Sequence, residues 1–161
     1  VNYYLTVTGL VEIELNGVGD IYTDRLDADH FSIKLNGAGN IVIDKLEADR
    51  IDITLNGVGD IEIDGLYADT LKVALNGMGS LDIEEGEVDF QDITIRGMGD
   101  YNAINLESER AEVDVPGGGS ATINVSEELD VQISGVGSVR YTGNPDIRHD
   151  ISGIGELEKI R

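Results

Sequence analysis

One phrase returns through this chain at a fixed interval. It reads LNGVGD ending at Asp20, LNGAGN ending at Asn40, LNGVGD ending at Asp60, LNGMGS ending at Ser80 and IRGMGD ending at Asp100. The first glycines, Gly17, Gly37, Gly57, Gly77 and Gly97, are 20 residues apart each time. A fixed period of roughly 20–50 residues marks units that cannot bury an apolar face alone and must stack on their neighbours. The period therefore decides the fold, and decides the function much less.

From Val11 each unit overlays the next. In the unit Phe31 to Arg50, Phe31, Ile33 and Leu35 alternate with Ser32 and Lys34, the period-two pattern of a half-buried strand. Asn36-Gly37-Ala38-Gly39 turns the chain. Ile41 and Ile43 alternate around Val42, Asp44-Lys45 turns it again, Leu46 and Ala48 flank Glu47, and Asp49-Arg50 closes the loop. Three short strands and three turns make a roughly triangular coil. The apolar positions recur as columns: Ile13, Ile33, Ile53, Val73, Ile93 and Val113; Leu15, Leu35, Leu55, Leu75, Ile95 and Val115; Leu26, Leu46, Leu66 and Leu106. No helical period is present, which argues against leucine-rich repeats, whose unit of similar length carries a helix or its equivalent. The pattern predicts an all-β, single-stranded parallel β-helix, with like residues stacked at roughly 4.8 Å.

The register drifts after Asp100. Gly117 keeps the 20-residue offset, whereas Gly135 and Gly153 each arrive after 18. The sequence thus predicts about eight coils of 18–20 residues in a single domain spanning 1–161. Residues 1–10 form a partial N-terminal coil with strand character at Tyr4-Leu5-Thr6-Val7, 11–115 the regular coils, and 116–161 the shorter C-terminal ones. Atypical end repeats are expected of solenoids.

Composition narrows the partners. The chain has 32 acidic and 11 basic residues and a formal net charge of −21. Such a surface repels phosphate backbones and anionic membrane faces, which argues against nucleic acid. No apolar run approaches the ~18 residues of a membrane span, so membrane insertion is not expected. The absence of Cys removes disulfides and thiolate metal sites. The opening VNYYLTV has neither a basic n-region nor a long apolar h-region, so any signal peptide is expected to have been removed. An acid-rich surface with only Lys34, Lys45, Lys72 and Lys159 also suits high salt.

The C-terminal run carries a resemblance. Ser134-Gly135-Val136-Gly137-Ser138 and the Tyr141-Thr142-Gly143-Asn144-Pro145 turn resemble the head GIN domain of auto-transporter adhesins, in which SGxGxV phrases alternate with short strands and a YxGNP-like turn precedes the last coil. The match is good over about Pro116 to Ile160, and the spaced glycine phrases extend it over most of the chain. The resemblance implies a right-handed parallel β-helix, secreted or surface-anchored in bacteria and adhesin-like, with no established catalytic residues.

Candidate sites each compete with a structural role. Asn16, Asn36, Asn56 and Asn76 form a column whose amides can hydrogen-bond from coil to coil, and serving the turn outweighs a polar groove. The position after the second glycine reads Asp20, Asn40, Asp60, Ser80, Asp100, Ser120, Ser138 and Glu156. It is too irregular for a calcium β-roll, whose second glycine-rich half-turn is also missing. Two corner ladders, Asp24, Asp44, Asp64 and Glu84, and Asp29, Asp49, Asp69 and Asp89, stack like charges. Three reliefs offer themselves: Asx capping of backbone N–H groups, pairing with Arg25, Lys45, Arg50 and Arg110, or bridging Ca²⁺. The first two together are favoured, and melting in EDTA against millimolar Ca²⁺ tests the third. The GxG pairs lack the strand–GxxxxGK[ST]–helix context of a phosphate loop. Glu127-Glu128 could serve as paired acids on a polysaccharide-active β-helix. His30 and His149 lie far apart and make no triad or metal cluster. Asn124-Val125-Ser126 is a glycosylation sequon by pattern. Tyr22, Tyr67, Tyr101 and Tyr141 are scattered and form no sugar-stacking stripe. No catalytic, cofactor or metal residues are assigned.

Three functions follow. The first is a non-catalytic extracellular or cell-surface structural and adhesin-like module, presenting flat ladder faces to protein or glycan. The second is a self-assembling subunit that stacks head to tail through open β-helix ends, which carry unpaired strand edges. The third is a polysaccharide-active enzyme.

Overall fold

A computed structural model describes residues 9–160, so the strand expected at Tyr4-Leu5-Thr6-Val7 lies outside the described residues. The described chain is all strand and turn, without helix. The strands are β1 (Glu12–Leu15), β2 (Ile21–Leu35), β3 (Ile41–Leu55), β4 (Ile61–Leu75), β5 (Ser80–Ile95), β6 (Asp100–Val115), β7 (Ser120–Ile133), β8 (Val136–Thr142), β9 (Asp146–Ile151) and β10 (Ile154–Lys159). They form one sheet in the order β1-β2-β3-β4-β5-β6-β7-β8-β10, with β9 paired to β7. Every pairing is parallel. The molecule is a right-handed parallel β-helix, as the resemblance implied.

Register follows the repeat. Ile33 pairs with Ile53, Ile53 with Val73, Val73 with Ile93 and Ile93 with Val113. Each apolar column is therefore a continuous ladder, and nearly all its members are buried. A one-residue slip would turn every column outward, so burial holds the register. Each of the long strands β2 to β6 bends through two corners without ending. In β2 and β3 the pairing steps from Thr23↔Ile43 to Arg25↔Lys45, and from Ala28↔Ala48 to His30↔Arg50. The positions passed over are Asp24/Asp44 and Asp29/Asp49. The expected three strands per coil are three faces of one ribbon, broken only at the glycine turn.

The shortening of the last coils has a definite location. Between β6 and β7 the partners run Ala103↔Ile123, Glu107↔Asn124, then Arg110↔Glu128. The offset falls from 20 to 17 at the first corner and recovers to 18 at the second. Large side chains fill the interior on both sides of this step. Tyr101 and Tyr141, counted among scattered tyrosines, are core residues instead: they occupy the inward positions above Leu81 and Ile123. Alternation along β6 and β8 could have placed them.

Candidate functional site

The glycine turn supports three stacked rows. Asn36 Nδ2 donates to Asn16 Oδ1 at 2.9 Å, Asn56 to Asn36 at 2.8 Å and Asn76 to Asn56 at 2.8 Å. The amide ladder expected from the sequence is formed, and it is structural. The row after the second glycine also has a role, which the comparison with calcium β-rolls missed. Asp20 Oδ1 accepts the Asn40 N–H at 2.9 Å, Asn40 Oδ1 that of Asp60 at 3.1 Å and Asp60 Oδ1 that of Ser80 at 2.8 Å. Where the row carries Asp or Asn, its short side chain accepts the N–H one coil on, and where it carries Ser80 or Ser120, the hydroxyl instead donates down to Asp60 or Asp100. Between these rows the backbone is itself a ladder: Ala38 N–H donates to Gly17 O, Val58 to Gly37 O, Met78 to Gly57 O and Met98 to Gly77 O. Glycine is required here because a Cβ on Gly37, Gly57 or Gly77 would lie 1.9–2.0 Å from the carbonyl oxygen one coil below.

The corner ladders differ from expectation. Asp24, Asp44, Asp64 and Glu84 are exposed, as are Asp29, Asp49, Asp69 and Asp89. The four cations expected beside them face other groups. Arg25 donates to Glu47 at 2.9 Å, Lys45 approaches Glu47 at 3.4 Å, Arg50 binds Asp52 and Arg110 lies over Phe90. A single-residue corner throws its side chain outward, away from the flat faces that carry the cations, and hydration takes the place of pairing. Charges about 4–5 Å apart repel by roughly 1 kcal/mol even in a water-like medium, and 0.5 M salt shortens screening well below the ~10 Å of 0.1 M. Raising NaCl from about 0.02 to about 0.5 M is therefore expected to raise the melting midpoint by about 5 °C. A flat or falling midpoint would show that the ladders store no repulsion.

The outward columns of the Phe31–Leu35 face are compensated instead. Lys72 Nζ donates to Asp92 at 2.7 Å, and Lys34 to Glu12 at 3.1 Å. Asp52 is gripped from two sides. His30 Nε2 lies 2.6 Å from Asp52 Oδ2, and Arg50 Nη2 donates to Oδ1 at 3.1 Å. Partial burial opposes the Asp52 charge, but the bonds and charges of Arg50 and His30 outweigh it and hold its carboxyl below the ordinary value. A carboxyl lowered by folding stabilises fully above its unfolded pKa, and that contribution disappears as pH falls through the folded value. Asp52→Asn is therefore expected to weaken the protein at pH 7 and to flatten its loss of stability below about pH 4. Parallel acid limbs for variant and parent in pH-dependent urea melts would contradict this.

A shallow acidic trough runs along the third face. Its floor is Ala28, Ala48 and Ala68, its walls include Asp27, Asp29, Glu47, Asp49, Asp69, Glu87 and Asp89, and its volume is about 450 Å³. A hollow of about 250 Å³ continues it past Glu107 and Glu109 to Asn124 and Ser126. Among the described residues no group of three or more His, Cys, Asp or Glu is placed to hold a metal ion. Glu127 and Glu128 are exposed, and Glu128 pairs in register with Arg110. His149 sits in β9 above Val131, in β-ladder register far from His30. The sequon Asn124-Val125-Ser126 begins inside β7 with Val125 fully buried, not on a loop.

Comparisons with solved structures agree on the fold. A crystal structure of a "putative adhesin" from Parabacteroides merdae superposes with a TM-score of 0.86 at 21% identity, covering 94% of this chain. This chain spans 64% of the length of that one. A second, from Bacteroides fragilis, gives 0.82 at 21% identity, covering 96% of this chain and 94% of its own. A third, from Parabacteroides distasonis, gives 0.84 at 17% identity, covering 97% and 94%. The curated proteins gave no match. The family described as "Putative auto-transporter adhesin, head GIN domain" matches residues 1–82 and again 44–145, about four and five coils. With the glycine turns from Gly17 to Gly137 and the coils they close inside those spans, the chain belongs to that head GIN domain family.

Proposed function

We propose that the chain is a non-catalytic module of the bacterial cell surface or its exterior, in which a rigid rod presents flat ladder faces to macromolecular partners. The observation that carries this reading is family membership across the coils that build the rod. The chemistry of the surface supports it. A general acid for glycan cleavage needs a raised carboxyl pKa. Asp52, held between Arg50 and His30, is moved the other way. The troughs are open and walled by carboxylates, so a cationic or neutral partner suits them and an anionic one does not. Purified protein passed over glycan arrays and immobilised extracellular proteins, with product analysis of any glycan bound, tests the reading. Saturable binding without cleavage supports it, and turnover of a polysaccharide overturns it.

The C-terminal end favours a second reading, head-to-tail assembly. β9 is exposed along its whole length, with Ile147 and Ile151 above the core positions Leu129 and Ile133. Among the described residues β9 pairs only with β7, and its outer side with these apolar residues suits the addition of another strand. Rods that lengthen with concentration under negative-stain microscopy would favour it.

A further inference from the structure

The residue between the two glycines of each turn is the least expected one in the repeat. Turn positions favour Asn, Asp, Ser and Gly. Here Val18, Val58, Met78, Met98, Val136 and Ile154 occupy it, between 48% and 91% exposed. Ala38 belongs to the same row, and only Gly118 interrupts it. The backbone ladder through the turns continues across all eight coils, with Gly118 N–H donating to Gly97 O, Val136 to Gly117 O and Ile154 to Gly135 O. The side chains therefore stand in a straight line on a rigid edge. No interior position explains them, since each points away from the core.

We propose that this apolar ridge is a docking edge for a second copy of the chain, the two rods lying side by side. Three observations select that occupant. The first is pitch. Seven coil steps at about 4.8 Å give a ridge about 34 Å long, and another copy repeats at the same rise. A helix advancing about 5.4 Å per turn would fall out of step by roughly 4 Å over that length. The second is charge. The rows flanking the ridge carry only Asp20, Asp60, Asp100 and Glu156 against Arg96, in a chain of net −21. Two such rods repel less along this edge than along the corner ladders, where each coil adds a carboxylate, and the edge's net negative charge gives an anionic bilayer nothing to hold. The third is area. The ridge with its flanking rows forms a strip about 15 Å wide, so a pair covers about 1,000 Å², the lower bound for a specific interface. The association is weak and isologous, and it closes as a two-fold pair. It does not depend on the adhesin reading.

The test is solution scattering with multi-angle light scattering in about 0.5 M NaCl, from about 10 μM to about 1 mM, a range chosen for an interface of that size. The parent is compared with Val58→Ser/Met98→Ser and with Tyr22→Ser, which removes an exposed apolar side chain off the ridge. The parent is expected to rise from 17.3 kDa toward twice that mass, with a wider cross-section and unchanged length. The ridge variant is expected to stay monomeric over at least a ten-fold higher concentration, and Tyr22→Ser to follow the parent. Circular dichroism confirms that each variant keeps its sheet. A parent monomeric throughout, a ridge variant that pairs like the parent, or rods that lengthen at constant cross-section would overturn the proposal. The last outcome would leave head-to-tail assembly standing.

Discussion

Gly57→Ala is expected to lower the stability of the rod by about 3 kcal/mol, whereas Gly17→Ala is expected to change it by less than about 0.5 kcal/mol. Both substitutions add one methyl to the same position of the same phrase, so helix or strand preference cannot separate them. The difference is the coil beneath. A Cβ on Gly57 would lie 1.9 Å from the Gly37 carbonyl oxygen, while among the described residues no heavy atom comes within 4 Å of one on Gly17. Relief at Gly57 requires two coils to part locally. That strains the bonds from Asn56 N–H and Gly57 N–H to Leu35 O and from Val58 N–H to Gly37 O. Three bonds at about 1 kcal/mol each set the magnitude. In melting, the Gly57 variant should fall by about 10 °C. Equal losses for both variants would mean that the turn glycines serve chain flexibility and not the close approach of coils.

That contrast also marks what the sequence could convey. The 20-residue spacing of Gly17 to Gly97 and the Ile and Leu columns made the stacked coil readable, because burial and register depend on the period alone. The Asn16–Asn76 ladder was equally readable, since stacking like on like leaves each amide a partner. The corner aspartates were not. Whether Asp44 caps, pairs or stays hydrated depends on where a single-residue corner aims its side chain, and periodicity carries no such direction. The acceptor role of Asp20, Asn40 and Asp60 was hidden for a related reason: each serves a backbone N–H 20 residues away, so no local motif records it. Where the repeat breaks, at Gln91, Tyr101 and Ser108, the columns gave no warning that three polar groups would meet indoors.

Those three groups form the only buried side-chain network among the described residues, and they support the second large prediction. Tyr101 Oη donates to Gln91 Oε1 at 2.7 Å, Gln91 Nε2 donates to Ser108 Oγ at 2.9 Å, and Ser108 Oγ donates to the Asn124 carbonyl at 2.7 Å. Gln91 is wholly buried, and burial pushes the Tyr101 phenol far above its ordinary value, so it stays protonated and remains a donor. Small residues make room one coil on: Gln91 pairs with Ala111 and Tyr101 with Ala121. Gln91→Leu leaves the phenol without an acceptor, and Tyr101→Phe leaves the amide oxygen without a donor, each at about 2 kcal/mol. Gln91→Leu/Tyr101→Phe removes both partners at nearly constant volume, while Ser108 keeps its bond to Asn124. The double variant is therefore expected to lose less than about 1 kcal/mol, a coupling of about 3 kcal/mol in urea melts. The network lies where the coil contracts from 20 to 18 residues, and there it fixes which side chain stacks on which. If the two single losses simply added, the hydrogen bonds would contribute nothing specific, and shape alone would hold that step in register.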